Sequence, residues 1–156
     1  MMTTSIANVA VIGSGTMGAG IAEVAAAAGH PVLIYDIDHQ AIARAIEGIA
    51  RRLASRVERG KLASEQADAL LARLHPAHDL AAQLAAICAP STLLTSNTSS
   101  ISITAIAAGV KHPERVAGLH FFNPAPVMKL VEVVSGLVTS AEVVEQLCQC
   151  VSGWGK

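Results

Sequence analysis

Residues 6–36 read IANVAVIGSGTMGAGIAEVAAAAGHPVLIYD and predict a strand, a glycine-rich turn, a helix and a second strand. The apolar, β-branched run from Ile6 to Ile12 is too short for a helix and is typical of a parallel strand buried on both faces. Gly13, Gly15 and Gly18 follow it as G-x-G-x-x-G, the glycine spacing that lets a backbone turn tightly, approach a pyrophosphate and pack a helix on the strand. The first helical amides then face the phosphates. The residues expected to hold a dinucleotide are Gly13, Gly15, Thr16, Met17 and Gly18.

Asp36 ends the second predicted strand, 18 residues after Gly18. A carboxylate at that point can accept hydrogen bonds from both hydroxyls of the adenosine ribose, and it repels a 2′-phosphate. The sequence therefore predicts NAD in preference to NADP. The alternative is that Asp36 caps the following helix, a role for which Asp38 is equally well placed.

The composition is that of one globular domain. The chain has 156 residues, of which 52% are hydrophobic and 15% charged, which is ample for a buried core. A formal net charge of −1 and 3% aromatic residues argue against nucleic acid as a partner. No apolar run is long enough for a membrane span, and the N-terminus leads into a strand without a basic region or cleavage site, so we expect a cytoplasmic protein. The three cysteines are expected to be reduced thiols: Cys88, Cys148 and Cys150.

Strands and helices alternate along the whole chain, which predicts an α/β, Rossmann-type, doubly wound and mostly parallel sheet with helices on both faces. Apolar residues at spacings of three and four predict helices. We expect residues 1–156 to form one NAD-binding domain. The predicted helices are His39–Arg59 with Gly60 after it, a shorter one capped by Ser64 whose stripe runs to Leu74, Leu80–Ala89 and Ser102–Ala108; the later strands are Thr92–Ser96, Val116–Phe122 and Leu130–Val134.

The segment SNTSS, residues 96–100, follows the predicted strand Thr92–Ser96. Ligands of open α/β sheets bind at the carboxyl ends of the strands, so these small polar residues are candidates for a site. The alternative is that they form only a turn and a cap for the next helix. The candidate residues are Ser96, Asn97, Thr98 and Ser99, with Asn97 assigned to the cofactor.

Glu132 lies inside the apolar run Leu130–Val134, where a buried carboxylate requires a partner. His120 precedes it by 12 residues, across a proline-rich turn, and a histidine held by a carboxylate makes an oriented general base. A structural pair without catalysis is the alternative. His75, His78 and Asp79 are not predicted to bind a metal, because no further ligand set accompanies them.

Three stretches, GSGTMGAGIAEVAAAAGH, SNTSSISIT and PERVAGLHFFNPAPVMKLVEVV, resemble the NAD-binding domain of L-3-hydroxyacyl-CoA dehydrogenases. The resemblance covers nearly the whole chain. It implies oxidation of a 3-hydroxyacyl-CoA to the 3-ketoacyl-CoA with transfer of a hydride to NAD, in fatty-acid β-oxidation or related acyl-CoA degradation. It implies that His120 is the base, that Glu132 orients it, that Ser99 binds the substrate hydroxyl and that Asn123 supports the site. Residues 57–61, VERGK, are similar to members that act on a dicarboxylic acyl-CoA in aromatic-acid degradation.

Two departures from this family stand out. The family has an apolar strand and a Glu-bearing loop where Ala82 and Gln83 run straight through, and that strand lies beside the first one. Either the segment belongs to the protein and is missing here, or the sheet has rearranged so that Leu93–Ser96 pairs with Val9–Ile12. The family also continues beyond Lys156 into a helical domain that completes the acyl-CoA site and forms the dimer. We therefore expect the cofactor half of an enzyme, and a homodimer only where the helical domain is present.

Two other functions remain open from the sequence. β-Hydroxyacid dehydrogenases share a G-x-G-x-M-G start, but they use a lysine in their helical domain, and the HFFNP and MKLVEV segments argue against that group. A non-catalytic or degenerate NAD-binding protein is the third candidate, which turnover measurements distinguish from the first.

Overall fold

The computed structural model describes residues 6–79, 88–89 and 91–156. These residues fall into two compact units. The N-terminal unit comprises residues 7–79 with Pro124–Pro126, and the C-terminal unit comprises Ile6 and residues 88–89, 91–123 and 127–156.

In its described residues, the N-terminal unit contains a parallel three-stranded sheet in the order β1-β2-β3 and three helices. The largest fully buried side chains among the described residues lie on β2 and on one face of α2. The buried residues of α2 recur at helical spacing along one face, as in an amphipathic helix that packs on a sheet. The structure of this unit is therefore predictable from the spacing of apolar residues. The elements are β1 (Val9–Ile12), α1 (Thr16–Ala27), β2 (Val32–Tyr35), α2 (His39–Glu58), α3 (Ser64–Leu71) and β3 (Leu74–Ala77).

The C-terminal unit contains a second three-stranded sheet in the order β4-β5-β6, in which β4 and β5 are parallel and β6 is antiparallel. Ile103, Ala107 and Val116 form its small buried cluster, with Leu94 packed against them. The elements are β4 (Leu94–Ser96), α4 (Ile103–Ala107), a 3-10 turn (Pro113–Arg115), β5 (Val116–Phe121), β6 (Val131–Ser135) and α5 (Ala141–Gly153).

The prediction of a mostly parallel α/β protein is confirmed, but the predicted pairing of Leu93–Ser96 with Val9–Ile12 is wrong for the described strands. Among them, β1 is hydrogen-bonded only to β2, and β4 only to β5. β4 is hydrogen-bonded to β5, which follows it in the chain after α4 and the 3-10 turn. The backbone N–H and C=O groups of β4 therefore find partners within the same unit. The junction at Ala82 and Gln83 lies outside the described residues, as does most of the predicted helix Leu80–Ala89.

Several element boundaries differ from the prediction by a few residues. β1 begins at Val9 and not at Ile6. Ala63 is the N-cap of α3, and Ser64 is its first residue and not its cap. Leu74 belongs to β3 and not to the buried stripe of a helix, because the backbone there pairs with β2 at Val32. Among the described residues, no helix combines the length and apolar character needed to cross a membrane.

Candidate functional site

The glycine turn of the N-terminal unit has the shape that a pyrophosphate requires. Gly13 has φ of +97°, a conformation that favours glycine, and its N–H donates to the Tyr35 carbonyl oxygen at 2.8 Å. A Cβ at Gly18 would overlap the Gly13 carbonyl oxygen, so α1 packs on the turn only because Gly18 lacks a side chain. A Cβ at Gly15 would meet nothing within 4 Å, so the space before the turn is open.

The N-terminus of α1 offers its amides to a ligand. Gly15 is its N-cap, no side chain in the described part of the chain caps the helix, and its first turn, which contains Thr16 and Met17, holds no acidic residue. Uncapped amides and the positive end of the helix dipole favour an anion at this position. The residues predicted to hold the dinucleotide thus fit its pyrophosphate.

Asp36 follows β2 and is held by hydrogen bonds from the glycine turn. Its Oδ2 atom accepts from the Ser14 backbone N–H at 2.7 Å and from the Ser14 hydroxyl at 2.8 Å. Its Oδ1 atom accepts from the Asp38 backbone N–H at 3.0 Å. These bonds, led by that of the Ser14 backbone N–H, hold the pKa of the Asp36 carboxyl below its ordinary value. Asp36 is therefore an ionised hydrogen-bond acceptor beside the glycine turn.

Asp38, and not Asp36, is the N-cap of α2. Its Oδ1 accepts from the Gln40 backbone N–H at 2.9 Å, and its Oδ2 lies 2.7 Å from the Arg44 guanidinium. The capping alternative for Asp36 is therefore wrong, because the neighbouring aspartate already performs that function.

The polar segment after β4 is largely engaged with its own backbone. The Asn97 Oδ1 atom accepts from the Phe121 N–H at 2.7 Å, which ties β4 to the end of β5. The Thr98 hydroxyl accepts from Ser100 and Ile101 N–H groups at 3.2 and 3.0 Å, and Ser102 caps α4. For Thr98, the alternative that this segment forms only a turn therefore holds, because its hydroxyl is engaged by the backbone of the turn. The Asn97 amide nitrogen and the exposed Ser99 are not used in these bonds.

His120 and Glu132 make the predicted contact. They lie opposite each other in the β5–β6 register, and the distance from His120 Nδ1 to Glu132 Oε2 is 2.8 Å. The Phe122 ring packs against the imidazole, with ring centroids 4.7 Å apart. The expectation that Glu132 is buried is wrong: its side chain is 52% exposed, against 19% for His120. β6 is the edge strand of its sheet, so the Glu132 carboxylate stays in contact with water while it holds the His120 imidazole.

The pair forms part of the wall of a cleft of about 320 Å³ within the C-terminal unit. Because Glu132 engages Nδ1, the other ring nitrogen, Nε2, is the atom that can exchange a proton with a bound molecule. Asn123 lies exposed in the turn after β5 and is not among the lining residues. The cleft is lined by Thr98, Ser99, Ile101, Ser102, Ile103, Thr104, His120, Glu132, Val134, Ser135 and Gly136.

The other candidate residues carry no comparable arrangement. In the described part of the chain, no group of three or more His, Cys, Asp or Glu residues is placed to hold a metal ion. The His78 ring packs edge-on against His39, with centroids 5.0 Å apart. The three cysteines are free thiols.

Ser14 belongs to the candidate site and was not predicted from the sequence. It occupies the first variable position of G-x-G-x-x-G, is only 6% exposed, and binds Asp36 through both its backbone and its side chain. The sequence signal that could have identified Ser14 is its hydroxyl. An apolar residue at this position could donate to Asp36 only through its backbone N–H.

Comparisons with known proteins assign the chain to one family. The family described as "3-hydroxyacyl-CoA dehydrogenase, NAD binding domain" matches residues 8–84 and 77–156. The 3-hydroxyadipyl-CoA dehydrogenase of Escherichia coli (strain K12) is 61% identical over 178 aligned positions, which cover 99% of this chain and 38% of that protein. The probable 3-hydroxybutyryl-CoA dehydrogenase of Bacillus subtilis (strain 168) is 37% identical, with 97% of this chain and 61% of that protein covered.

The fold matches a solved structure, the crystal structure of 3-hydroxybutyryl-CoA dehydrogenase from Escherichia coli K12, with a TM-score of 0.93 and 60% identity. The match covers 97% of this chain and 37% of that one. The chain thus spans less than two thirds of the length of each of these proteins, and well under half of the two from Escherichia coli. It is also shorter inside: 178 aligned positions against 156 residues leave at least 22 positions of the first relative without a counterpart.

Proposed function

Because the chain belongs to the NAD-binding domain family of 3-hydroxyacyl-CoA dehydrogenases, we propose that it is the cofactor half of an enzyme that oxidises a 3-hydroxyacyl-CoA to the 3-ketoacyl-CoA. The observation that carries the proposal is the 2.8 Å contact between His120 and Glu132 at the wall of the cleft. A base is what this reaction asks of the protein, since bound NAD supplies the hydride acceptor.

The reaction removes a proton from the 3-hydroxyl oxygen and a hydride from C3. His120 Nε2 takes the proton, and Glu132 holds the imidazole by Nδ1 and stabilises its charged form. Ser99, exposed on the cleft wall, hydrogen-bonds the substrate hydroxyl. Asn123 acts from the turn after β5 and supports the site without lining the cleft.

The cofactor is held by the residues of the glycine turn and by Asp36. The uncapped amides of α1 bind the pyrophosphate, and the ionised Asp36 carboxylate accepts from the adenosine ribose, which favours NAD over NADP. Asn97 contributes its amide nitrogen, because its oxygen is engaged by the Phe121 N–H. The proposed cofactor-binding residues are Gly13, Gly15, Thr16, Met17, Gly18, Asp36 and Asn97.

The domain organisation, pathway and compartment that we propose are based on the resemblance to the family. Residues 1–156 form the NAD-binding domain, and turnover requires a helical domain of the kind that the family carries after it, which also provides the dimer interface. The reaction belongs to the degradation of fatty acids or related acyl-CoA compounds in the cytoplasm. Neither nucleic acid nor a membrane is a partner.

The acyl group of the substrate is a dicarboxylic one. The relative that is 61% identical to this chain over the aligned positions is named for 3-hydroxyadipyl-CoA. The solved structure at 60% identity is named for 3-hydroxybutyryl-CoA, which is the second candidate. The ratio of kcat/KM for the two acyl-CoA substrates decides between them, because specificity is a ratio of these constants.

The proposal is tested by NAD reduction in a protein that joins this chain to its helical domain. His120→Gln is expected to lower kcat by about 10²- to 10⁴-fold, the usual contribution of a general base. Glu132→Gln is expected to lower kcat by about 10- to 100-fold, because the charge-assisted hydrogen bond to the imidazole is lost. NAD affinity is expected to stay unchanged in both variants.

The matched control is a second histidine and glutamate pair in the same unit. His112 Nδ1 lies 3.3 Å from Glu114 Oε1, and both side chains are half exposed. His112→Gln and Glu114→Gln are expected to leave kcat unchanged. NAD binding without turnover in the wild-type protein would favour a non-catalytic NAD-binding protein instead.

A further inference from the structure

We infer that Ser14 is a positioning residue for the cofactor: its hydroxyl fixes the Asp36 carboxylate so that one oxygen, Oδ1, faces the adenosine ribose. The inference deepens the proposed function and depends on Asp36 being the ribose acceptor. The carrying observation is that one residue of the phosphate turn donates twice to the same carboxylate oxygen.

The contact is built into the core of the turn. Ser14 is 6% exposed, whereas Asp36 is only partly buried. The Ser14 side chain donates to Asp36 Oδ2 at 2.8 Å, and the backbone N–H donates to the same atom at 2.7 Å. The buried Ser14 hydroxyl thus adds a side-chain donor to the two backbone N–H groups, of Ser14 and Asp38, that hold the carboxylate in one rotamer.

The remaining acceptor capacity determines how the ribose binds. A carboxylate offers about four lone-pair positions. The Ser14 N–H and hydroxyl both donate to Oδ2, whereas the Asp38 N–H donates to Oδ1. The Ile37 N–H also acts on the carboxyl. Because Ser14 occupies Oδ2, we assign the ribose hydroxyl to Oδ1, and the orientation of the carboxylate decides whether Oδ1 meets the ribose.

The electrostatic state of Asp36 agrees with this arrangement. Hydrogen bonds from Ser14 and Asp38 lower the pKa of the Asp36 carboxyl, so it is ionised at neutral pH. Loss of the Ser14 hydroxyl would leave that negative charge in place. Repulsion of a 2′-phosphate would then persist, while the hydrogen bond to the ribose would weaken.

The test is a calorimetric titration of NAD, NADP and an NAD analogue whose adenosine ribose lacks the 2′ and 3′ hydroxyls, using a protein that joins this chain to its helical domain. Ser14→Ala is expected to raise the Kd for NAD about 3- to 10-fold, with a much smaller change for NADP. The dideoxy analogue is expected to bind the wild type and Ser14→Ala equally, because it makes no hydrogen bond to Asp36.

The control variant is Ser55→Ala, which removes a hydroxyl from α2 that accepts from Arg59 at 2.9 Å. It is expected to leave all three Kd values unchanged. An unchanged Kd for NAD in Ser14→Ala, or an equal loss for NAD and the dideoxy analogue, would overturn the inference, because the hydroxyl would then be dispensable or would serve only the shape of the phosphate turn.

A separate variant keeps the inference distinct from the proposed function. Asp36→Ala is expected to weaken NAD binding and to improve NADP relative to it, since both the acceptor and the repulsion are removed. If Asp36→Ala weakens NAD but Ser14→Ala does not, the inference fails and the cofactor assignment stands. If Asp36→Ala affects NAD and NADP equally, the assignment of Asp36 to the ribose fails, and the inference fails with it.

Discussion

Asp36 is a charged group whose ionisation is linked to folding. Hydrogen bonds from Ser14 and Asp38 lower its pKa in the folded protein below the ordinary value of 3.8. Near that pH the unfolded chain therefore binds more protons than the folded protein, so the free energy of unfolding rises with pH. The stabilising contribution is complete above the unfolded pKa and is lost as pH falls through the folded one.

Asp36→Asn is expected to lower the free energy of unfolding at neutral pH, because the ionised acceptor is lost. The difference from the wild type is expected to shrink as pH falls from about 5 to below 3.8. Urea unfolding of both proteins at a series of pH values measures it. A difference that does not change over this range would contradict the linkage.

At the scale of the elements, an ion pair that was not predicted from the sequence joins α1 to α2. Glu23 on α1 is only 4% exposed, and its Oε2 atom accepts from Arg52 Nε at 3.0 Å and Nη2 at 2.7 Å. Removal of the arginine would leave a buried carboxylate without its counter-charge, which costs more than the pair itself contributes.

Arg52→Met is expected to lower the free energy of unfolding by about 1–3 kcal/mol, less than for a fully buried pair because the arginine is half exposed. The neighbouring Arg51 provides the control, since it lies 3.9 Å from the exposed Glu47. Arg51→Met is expected to change the free energy of unfolding by less than about 0.5 kcal/mol. Equal effects of the two substitutions in denaturant unfolding would show that burial of Glu23 is unimportant.

The packing of α1 on the glycine turn depends on the missing side chain of Gly18. A Cβ there would overlap the Gly13 carbonyl oxygen, and backbone atoms cannot move aside cheaply. Gly18→Ala is expected to cost at least about 2 kcal/mol in the free energy of unfolding and to weaken NAD binding.

Gly48 is the matched glycine within a helix. An added Cβ there would lie 3.7 Å from the flexible end of Arg52, and Gly48→Ala is expected to stabilise the protein by about 0.5–1 kcal/mol. Thermal unfolding of the Gly18→Ala and Gly48→Ala proteins measures the two effects. A Gly18→Ala protein as stable as Gly48→Ala would mean that α1 can shift away from the turn.

At the scale of the whole molecule, the chain is shorter inside than its 3-hydroxyadipyl-CoA dehydrogenase relative, and we expect the shortening to lie near Ala82 and Gln83. The alignment with the Escherichia coli relative leaves at least 22 of its positions unmatched, and the two family matches meet at residues 77–84. Among the described strands β1 has a single partner, and Ile12 is 60% exposed. An apolar strand with a free edge is a site of aggregation.

Insertion of the corresponding segment of that relative at Ala82 is expected to raise the unfolding temperature by more than about 4 °C, because a strand beside β1 would satisfy its backbone groups. It is also expected to reduce light scattering on heating. An insertion of equal length composed of glycine and serine is the control. If both insertions behaved alike, the segment would not be a missing part of the sheet.

Much of the fold was predictable because its signals are local. The spacing of Ile42, Ile49 and Leu53 identifies α2, and G-x-G-x-x-G together with its flanking strands identifies β1, α1 and β2. The pairing of His120 with Glu132 was also predictable, from a carboxylate that lacked a partner within its apolar run. The assignment of Asp36 to the adenosine ribose stays a prediction.

The amino-acid sequence by itself determined the class of fold, the glycine turn and the pair of His120 and Glu132, because each depends on residues close together in the chain. The tertiary structure alone decided that Ser14 holds Asp36, that Glu132 stays exposed on the last strand, and that β4 pairs with β5 and not with β1. These features depend on which strands become neighbours and in which register, and non-local pairing leaves no periodic signal in a single sequence.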